Sequence, residues 1–377
     1  MTVLYFGNYN SSYSRNRVLI KGLRQNGVKL IECNVRKSGF RALIPLFFKY
    51  LRLNPSYDLM IVGFPGQEVM FLARFITKKP IIFDAFTSHY GGYILDRKYF
   101  PTKSLRAKYY RFLDKWSCKL ADLVLLDTNA HIDFFIKEFG LPKEKFIRIF
   151  VGTDSDIFYP RNDEKSDDKF LVHHERSHEG SQRAPASYVV HFHGHYIPLQ
   201  GVRHIIETAK ILEKENIIFN LIGQGQTYKE DKKLAERYGL KNINFIDSVP
   251  YDKLPDYMAE ADVCLGVFGD NPKTDLVIPN KIYEALAMGK PVITADTPAI
   301  RELLNDREDV FLCLKANPES LAGKILLVKN QPSLARKTAE KGRNLFERKL
   351  KEKFLGEELL KNFRAVKQLD RRSMHKF

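Results

Sequence analysis

Short apolar runs, each followed by a polar or glycine-bearing loop and then an amphipathic stretch, recur along this chain in two series. That recurrence limits the fold more than any other feature. The first series is Val3-Leu4-Tyr5-Phe6, then 28–33, 58–63, 80–84, 121–128 and 146–150. The second is 188–193, 217–222, 243–246, 261–267 and 292–294. Runs of this length bounded by turn residues read as buried strands. The stretches between them carry apolar residues at helical spacing, as in 15–26, where Val18, Leu19 and Leu23 share a face and Gly27 ends the helix. Strands alternating with helices predict a parallel sheet covered on both sides. Two series predict two such sheets, which suits a chain of 377 residues, too long for one core. The expected divisions are 1–160, a polar connection at 161–187, 188–340, and a basic C-terminal helix over 341–377.

Composition narrows the partners. The net charge is +16, and residues 331–377 hold 14 Lys and Arg against 6 Asp and Glu. Such a surface attracts phosphorylated substrates, anionic lipid or nucleic acid. No recognised nucleic-acid module accompanies the charge, so nucleic acid is not the expected partner. Four cysteines, Cys33, Cys118, Cys264 and Cys313, lie far apart and form no CxxC pair, which points away from a zinc site or a disulfide framework. The histidines of the polar connection, His173, His174 and His178, read as a solvated loop. No signal peptide and no membrane-spanning run are expected, which favours a cytoplasmic location. Residues 36–52 interleave Phe40, Leu43, Phe47, Phe48 and Leu51 with Arg36, Lys37, Arg41, Lys49 and Arg52. That mixture suits an ordinary surface helix, or one that docks on an anionic membrane.

The loops that follow strands are where an α/β sheet binds ligands. Asp84 and His89 lie after the strand 80–84 and are candidate catalytic groups. Gly7 and Asn8 follow the first strand. Gly194 to Gly201 follow strand 188–193, and Gly223-Gln224-Gly225 follow 217–222. The most informative stretch runs from Ile278-Pro279-Asn280-Lys281 through Glu284 to Gly289-Lys290-Pro291-Val292-Ile293. Pro279 suits a helix start and Gly289 a left-handed stop. Lys281 and Glu284 then sit near a helix N-terminus, where anions are favoured.

This ordered set resembles the retaining family 4 glycosyltransferases, which have the GT-B fold: two Rossmann-like α/β domains facing across a cleft, with a final helix crossing back to the first. The resemblance rests on Gly194-His195-Tyr196-Ile197-Pro198-Leu199-Gln200-Gly201, Ile222-Gly223-Gln224-Gly225, Val249-Pro250-Tyr251-Asp252-Lys253-Leu254 and the Pro279–Ile293 stretch. It implies a sugar nucleotide bound by the second domain and a glycan or lipid-phosphate-linked acceptor bound by the first. Glu284 matches the second acid of the family's E-x7-E motif and would hold the ribose diol. Pro279, Asn280 and Lys281 would face the diphosphate and sugar. Gly223, Gln224 and Gly225 would lie by the nucleotide, Ser248 and Val249 by the base, and Gly7 near the donor phosphate. Leu276 stands where the first acid would be, and Gln200-Gly201 where Lys-Gly is usual. A cation on the leaving diphosphate must then come from elsewhere, such as Lys281 or Arg203. No cofactor beyond the nucleotide sugar and no metal is expected. The implied role is a hexosyltransferase-like enzyme of cell-surface polysaccharide or glycolipid synthesis, peripheral on the inner face of a membrane. A nucleotide-sugar epimerase on the same fold, a donor-binding scaffold without activity and a nucleic-acid-binding protein are the rivals.

Overall fold

The computed structural model describes residues 1–161 and 187–374, with side chains to Phe363. Each series of strands forms one sheet of six, all parallel. The first contains β1 (Thr2–Gly7), β2 (Lys29–Asn34), β3 (Leu59–Val62), β4 (Ile81–Asp84), β5 (Leu123–Leu126) and β6 (Phe146–Arg148) in the order β2-β1-β3-β4-β5-β6. The second contains β7 (Tyr188–His193), β8 (Ile217–Ile222), β9 (Ile243–Ile246), β10 (Val263–Leu265), β11 (Val292–Ala295) and β12 (Phe311–Cys313) in the order β12-β11-β10-β7-β8-β9. Strand β12 is absent from the sequence expectation. Its three residues are bounded by charged loops, too short a run to stand out by pattern.

In each sheet the chain reverses direction beside the first strand, between β1 and β3 and between β7 and β10. A crevice opens at such a switch point, outside the carboxyl ends of the strands. Buried residues form a core on the outer face of each sheet, around Phe6, Met60 and Phe83 in one and Phe192, Phe219 and Ile293 in the other. A third core is shared. It joins Val18, Leu19 and Leu23 of the first unit, Ile282 and Leu286 of the second, and Leu350, Leu355, Leu359 and Phe363 near the end of the chain.

The basic C-terminal helix expected over 341–377 is the end of one helix, Pro332–Leu345, and a second, Glu352–Met374, joined by a π-turn at Phe346–Leu350. Lys351 has an extended backbone and turns the chain. The last helix then returns to the first unit and packs on helix Ser14–Gln25. The contact is backbone to backbone: a Cβ at Gly22 would lie 2.2 Å from the Glu352 carbonyl oxygen, and one at Gly356 2.3 Å from the Gly22 carbonyl carbon. Asn26 Nδ2 donates to the Lys353 carbonyl at 2.8 Å and ties the ends. Among the described residues no helix is long and apolar enough to cross a membrane. The histidines at 173, 174 and 178 lie outside the described residues.

Candidate functional site

Helix Asn280–Ala287 sits at the switch point of the second sheet. Pro279 precedes it with φ −70° and ψ 149°, and no side chain caps its first turn. The first N–H groups of a helix have no partner within it, so an uncapped N-terminus at a crevice is suited to an anion. Gly289 closes the other end at φ +66°, where Lys290 N–H donates to the Ala285 carbonyl and Gly289 N–H to that of Leu286. Lys281 and Glu284, three residues apart, share a face, and both are buried.

Two loops are drawn together beside this helix. A Cβ at Gly223 would meet the Gly194 carbonyl oxygen at 2.1 Å, and one at Gly225 the Tyr196 backbone nitrogen at 2.7 Å. Tyr196 N–H donates to the Gln224 carbonyl and Thr227 N–H to that of Tyr196. Glycine is required because the loops after β7 and β8 touch through their backbones, and all three glycines have positive φ. Lys281 reaches this junction. Its Nζ donates to Gln200 Oε1, lies 3.8 Å from the centre of the Phe192 ring, and would stand 2.9 Å from a Cβ at Gly194. Burial holds its ammonium well below the usual lysine range, opposed by Glu284. Glu284 is held on both oxygens. Tyr251 Oη donates to Oε1 at 2.9 Å, and His193 Nε2 lies 2.8 Å from Oε2.

The first unit contributes a cavity of about 590 Å³ lined by Asn8, Arg36, Lys37, Glu68, His89 and Tyr110. The π-helical segment Tyr90–Asp96 follows His89. His89 N–H donates to Asp114 Oδ1 at 3.0 Å, its ring packs on Tyr93 and Tyr110, and its Nδ1 has no hydrogen-bond partner. The two units cap each other. Asp96 of the first accepts from Leu199 N–H at 2.9 Å and Asn271 Nδ2 at 3.2 Å in the second. Glu302 of the second accepts from Asn129 N–H and Ala130 N–H, each at 2.7 Å, at a helix start of the first. Thr128 Oγ1 donates to the Leu276 carbonyl.

Two expected residues stand elsewhere. Asp84 is fully enclosed, and Arg15 Nε and Nη2 meet its carboxylate at 3.0–3.1 Å, so it does not face the cleft as a catalytic group. Its strand-end position is legible from the apolar run 80–84, but the buried arginine that meets it is sixty-nine residues away. Arg203 is two-thirds exposed and bonded to Glu207 one helical turn on, beside helix Tyr228–Arg237, so it is no diphosphate ligand here. His195 and Ser248 are exposed on their loops, and Val249 packs on the shared core. Gly7 keeps its positive φ, but the nearest backbone to its Cβ position is 3.6 Å away, so conformation rather than crowding requires glycine. Asp275 turns to Lys315 at 2.7 Å and does not stand in for the acid missing at Leu276. The chain contains one Asp-x-Asp sequence, Asp154-Ser155-Asp156. Lys21 Nζ lies 2.7 Å from Asp154, 2.6 Å from Asp156 and 2.8 Å from Glu352, so an ammonium already joins these carboxylates. His191, His193, Asp96 and Glu302 are the contributors that the sequence expectation lacks. Only the two histidines carried a signal, since residues two apart on a strand share a face.

Comparison with known proteins agrees with this architecture. Residues 174–345 match the family model for Glycosyl transferases group 1. WcaI of Escherichia coli K12, whose name assigns it provisionally as a colanic acid biosynthesis glycosyl transferase, is 30% identical over 161 residues, 41% of this chain and 39% of that protein. The uncharacterized glycosyltransferase MJ1178 of Methanocaldococcus jannaschii is 26% identical over 159 residues, 40% of this chain and 41% of its own. The matches thus span about two fifths of each curated relative. Over nearly the whole chain the fold is that of Anabaena Alr3699/HepE, solved in complex with UDP and glucose, with TM-score 0.69, 16% identity and coverage of 97% of this chain and 100% of that one. It is also that of a sucrose-phosphate synthase from Thermosynechococcus elongatus, with TM-score 0.73, 14% identity and coverage of 98% and 99%. Two facing parallel sheets, a glycine-lined crevice at the second switch point and a helix that crosses back make this a GT-B fold, within which residues 174–345 match the Glycosyl transferases group 1 family model.

Proposed function

We propose that this chain is a retaining glycosyltransferase of the family 4 type, which moves a hexose-like sugar from a nucleoside-diphosphate sugar to a hydroxyl of a glycan or lipid-phosphate-linked acceptor. The observation that carries the reading is the corner formed by helix Asn280–Ala287, where Lys281, Glu284 and the uncapped first turn meet the Gly194 and Gly223 loops. A carboxylate accepts both hydrogens of a ribose diol, and an ammonium with free backbone N–H groups receives a diphosphate. As the sugar C1–O bond breaks toward an oxocarbenium-like state, its electron pair goes to the diphosphate oxygen. Lys281 and the helix N-terminus would stabilise that charge, and donors so arranged can each be worth about 3–4 kcal/mol. The acceptor oxygen attacks C1 from the same face and passes its proton to the departing diphosphate oxygen, so the configuration is retained. The 590 Å³ cavity beside His89, with Arg36 and Lys37 in its wall, suits an anionic acceptor. UDP is the first nucleotide to try, because the Anabaena protein of the same fold was solved with it.

An anionic membrane is the surface we propose for the enzyme, on the inner face, in cell-surface polysaccharide or glycolipid synthesis. Helices Leu43–Leu53, Val69–Ile76 and Leu105–Leu120 lie side by side on the first unit, with Phe71 stacked on Phe112. Ile44, Phe48, Phe75 and Leu105 are each more than 60% exposed. The only acid on these helices, Asp114, is buried, whereas Lys49, Arg52, Arg74, Arg106, Lys108, Arg111, Lys115 and Lys119 are basic. Arg74 pairs with Asp122 and Arg111 with Glu138, and exposed apolar side chains among the other cations fit acidic lipid headgroups.

The test is a thermal-shift panel of UDP, GDP, ADP and their sugars. A ligand bound only by the folded chain raises the midpoint. Glu284→Ala should abolish the shift given by the best nucleotide. An unchanged shift and unchanged turnover in that variant refute the assignment of this corner.

A further inference from the structure

His191 and His193 lie two residues apart on β7 and project to the same side, toward helix Asn280–Ala287. They form a chain: His191 Nε2 is 2.9 Å from His193 Nδ1, and His193 Nε2 is 2.8 Å from Glu284 Oε2. Every member is buried. The proton positions follow from the network. An ionised carboxylate can only accept, so His193 Nε2 carries a proton. A neutral His193 then accepts at Nδ1, so His191 carries its proton on Nε2 and leaves Nδ1 bare. His191 Nδ1 is indeed buried and has no hydrogen-bond partner. Burial also keeps this imidazole well below its ordinary pKa, which agrees with the neutral form.

On its other oxygen Glu284 takes the Tyr251 hydroxyl, itself 3.4 Å from Thr153 Oγ1. A carboxylate offers about four lone-pair directions, two on each oxygen. One on each is taken, so one on each remains, which is the number a vicinal diol can fill.

We propose that His191 and His193 are positioning residues that hold the Glu284 carboxylate in one orientation, so that the preference for ribose over 2′-deoxyribose in the bound nucleotide is set through β7. The inference rests on the reading of Glu284 as the ribose acid. Partners of this kind orient a ligating group without touching the ligand, and their loss is felt through it.

The experiment measures UDP and 2′-deoxy-UDP binding by calorimetry to the full chain and to three variants. The wild type is expected to prefer UDP about tenfold, the worth of one hydrogen bond to a charged group. His193→Leu is expected to lose that preference while 2′-deoxy-UDP affinity stays near the wild-type value. His193→Gln keeps an N–H near the Nε2 position and restores part of it. His191→Phe keeps the contact with Glu284 but withdraws the donor from Nδ1, gives a smaller loss, and supplies the readout should His193→Leu not fold. A wild-type preference retained in the variants overturns the proposal, as does an equal weakening of both nucleotides. If the wild type binds neither, the donor reading itself falls, which is a different result.

Discussion

Removing the Asp84 carboxylate should destabilise the first unit rather than stop its chemistry. Arg15 and Asp84 are each 0% exposed. The guanidinium makes three contacts with the carboxylate at 3.0–3.1 Å, and its Nη1 donates to the Ile149 and Phe150 carbonyls at 2.7 and 3.0 Å. In Asp84→Ala those two carbonyls remain but no anion does, and a charge stays in the core. Breaking a buried pair from one side costs about 3–5 kcal/mol. For a unit of this size the midpoint should fall on the order of 10 °C. The double variant Arg15→Met/Asp84→Leu removes both charges and should recover most of the loss, because a pair replaced by apolar groups of similar volume is often neutral. The assay is thermal and urea unfolding of the wild type, both single variants and the double, with UDP affinity measured in the cold. The reasoning is refuted if Asp84→Ala keeps the wild-type midpoint and loses turnover, which is how a catalytic carboxylate would behave.

Lys281 and the basic face give two further tests. Burial depresses the Lys281 pKa from its ordinary 10.5, so between the folded value and 10.5 the unfolded chain binds more protons and stability rises with pH. A bound diphosphate favours the ammonium instead. UDP binding should take up a proton, weaken as pH rises, and show a heat that depends on the buffer's ionisation enthalpy. Lys281→Met should remove that dependence, and a wild-type heat that is the same in all buffers refutes the claim. On the membrane side, Ile44→Glu/Phe48→Glu should abolish sedimentation with anionic vesicles, leave UDP binding unchanged and barely alter the midpoint, because both side chains are exposed. Equal sedimentation of the variant and the wild type sinks the docking surface.

Much of the frame was legible because strands and helices announce themselves by period. Gly27, Gly289 and the glycines of the β7 and β8 loops stand where a chain must turn or touch, and pattern alone finds such residues. What period does not reveal is which groups meet from distant segments. Asp84 sits at a strand end like many catalytic acids, yet its role is decided by Arg15, sixty-nine residues away. Arg203 lies just after the Gly201 turn, but helical phase sends it outward to Glu207. Residues His191 and His193 read as unremarkable members of an apolar run until the helix that carries Glu284 is laid against them. The reciprocal caps at Asp96 and Glu302 depend on how two sheets face, and nothing local encodes that.

The close crossing of Gly22 and Gly356 has a consequence for biosynthesis. Helix Ser14–Gln25 leaves a ribosome long before residues 352–363, which cover Val18, Leu19 and Leu23. The first sheet can assemble early, but one face of its first helix stays wet until residues 352–363 have emerged. Vectorial folding from the N-terminus, the usual order for successive domains, is therefore interrupted here. During translation that apolar stripe is a natural place for a chaperone to sit, and cutting the chain at the connection between the sheets would leave it permanently uncovered.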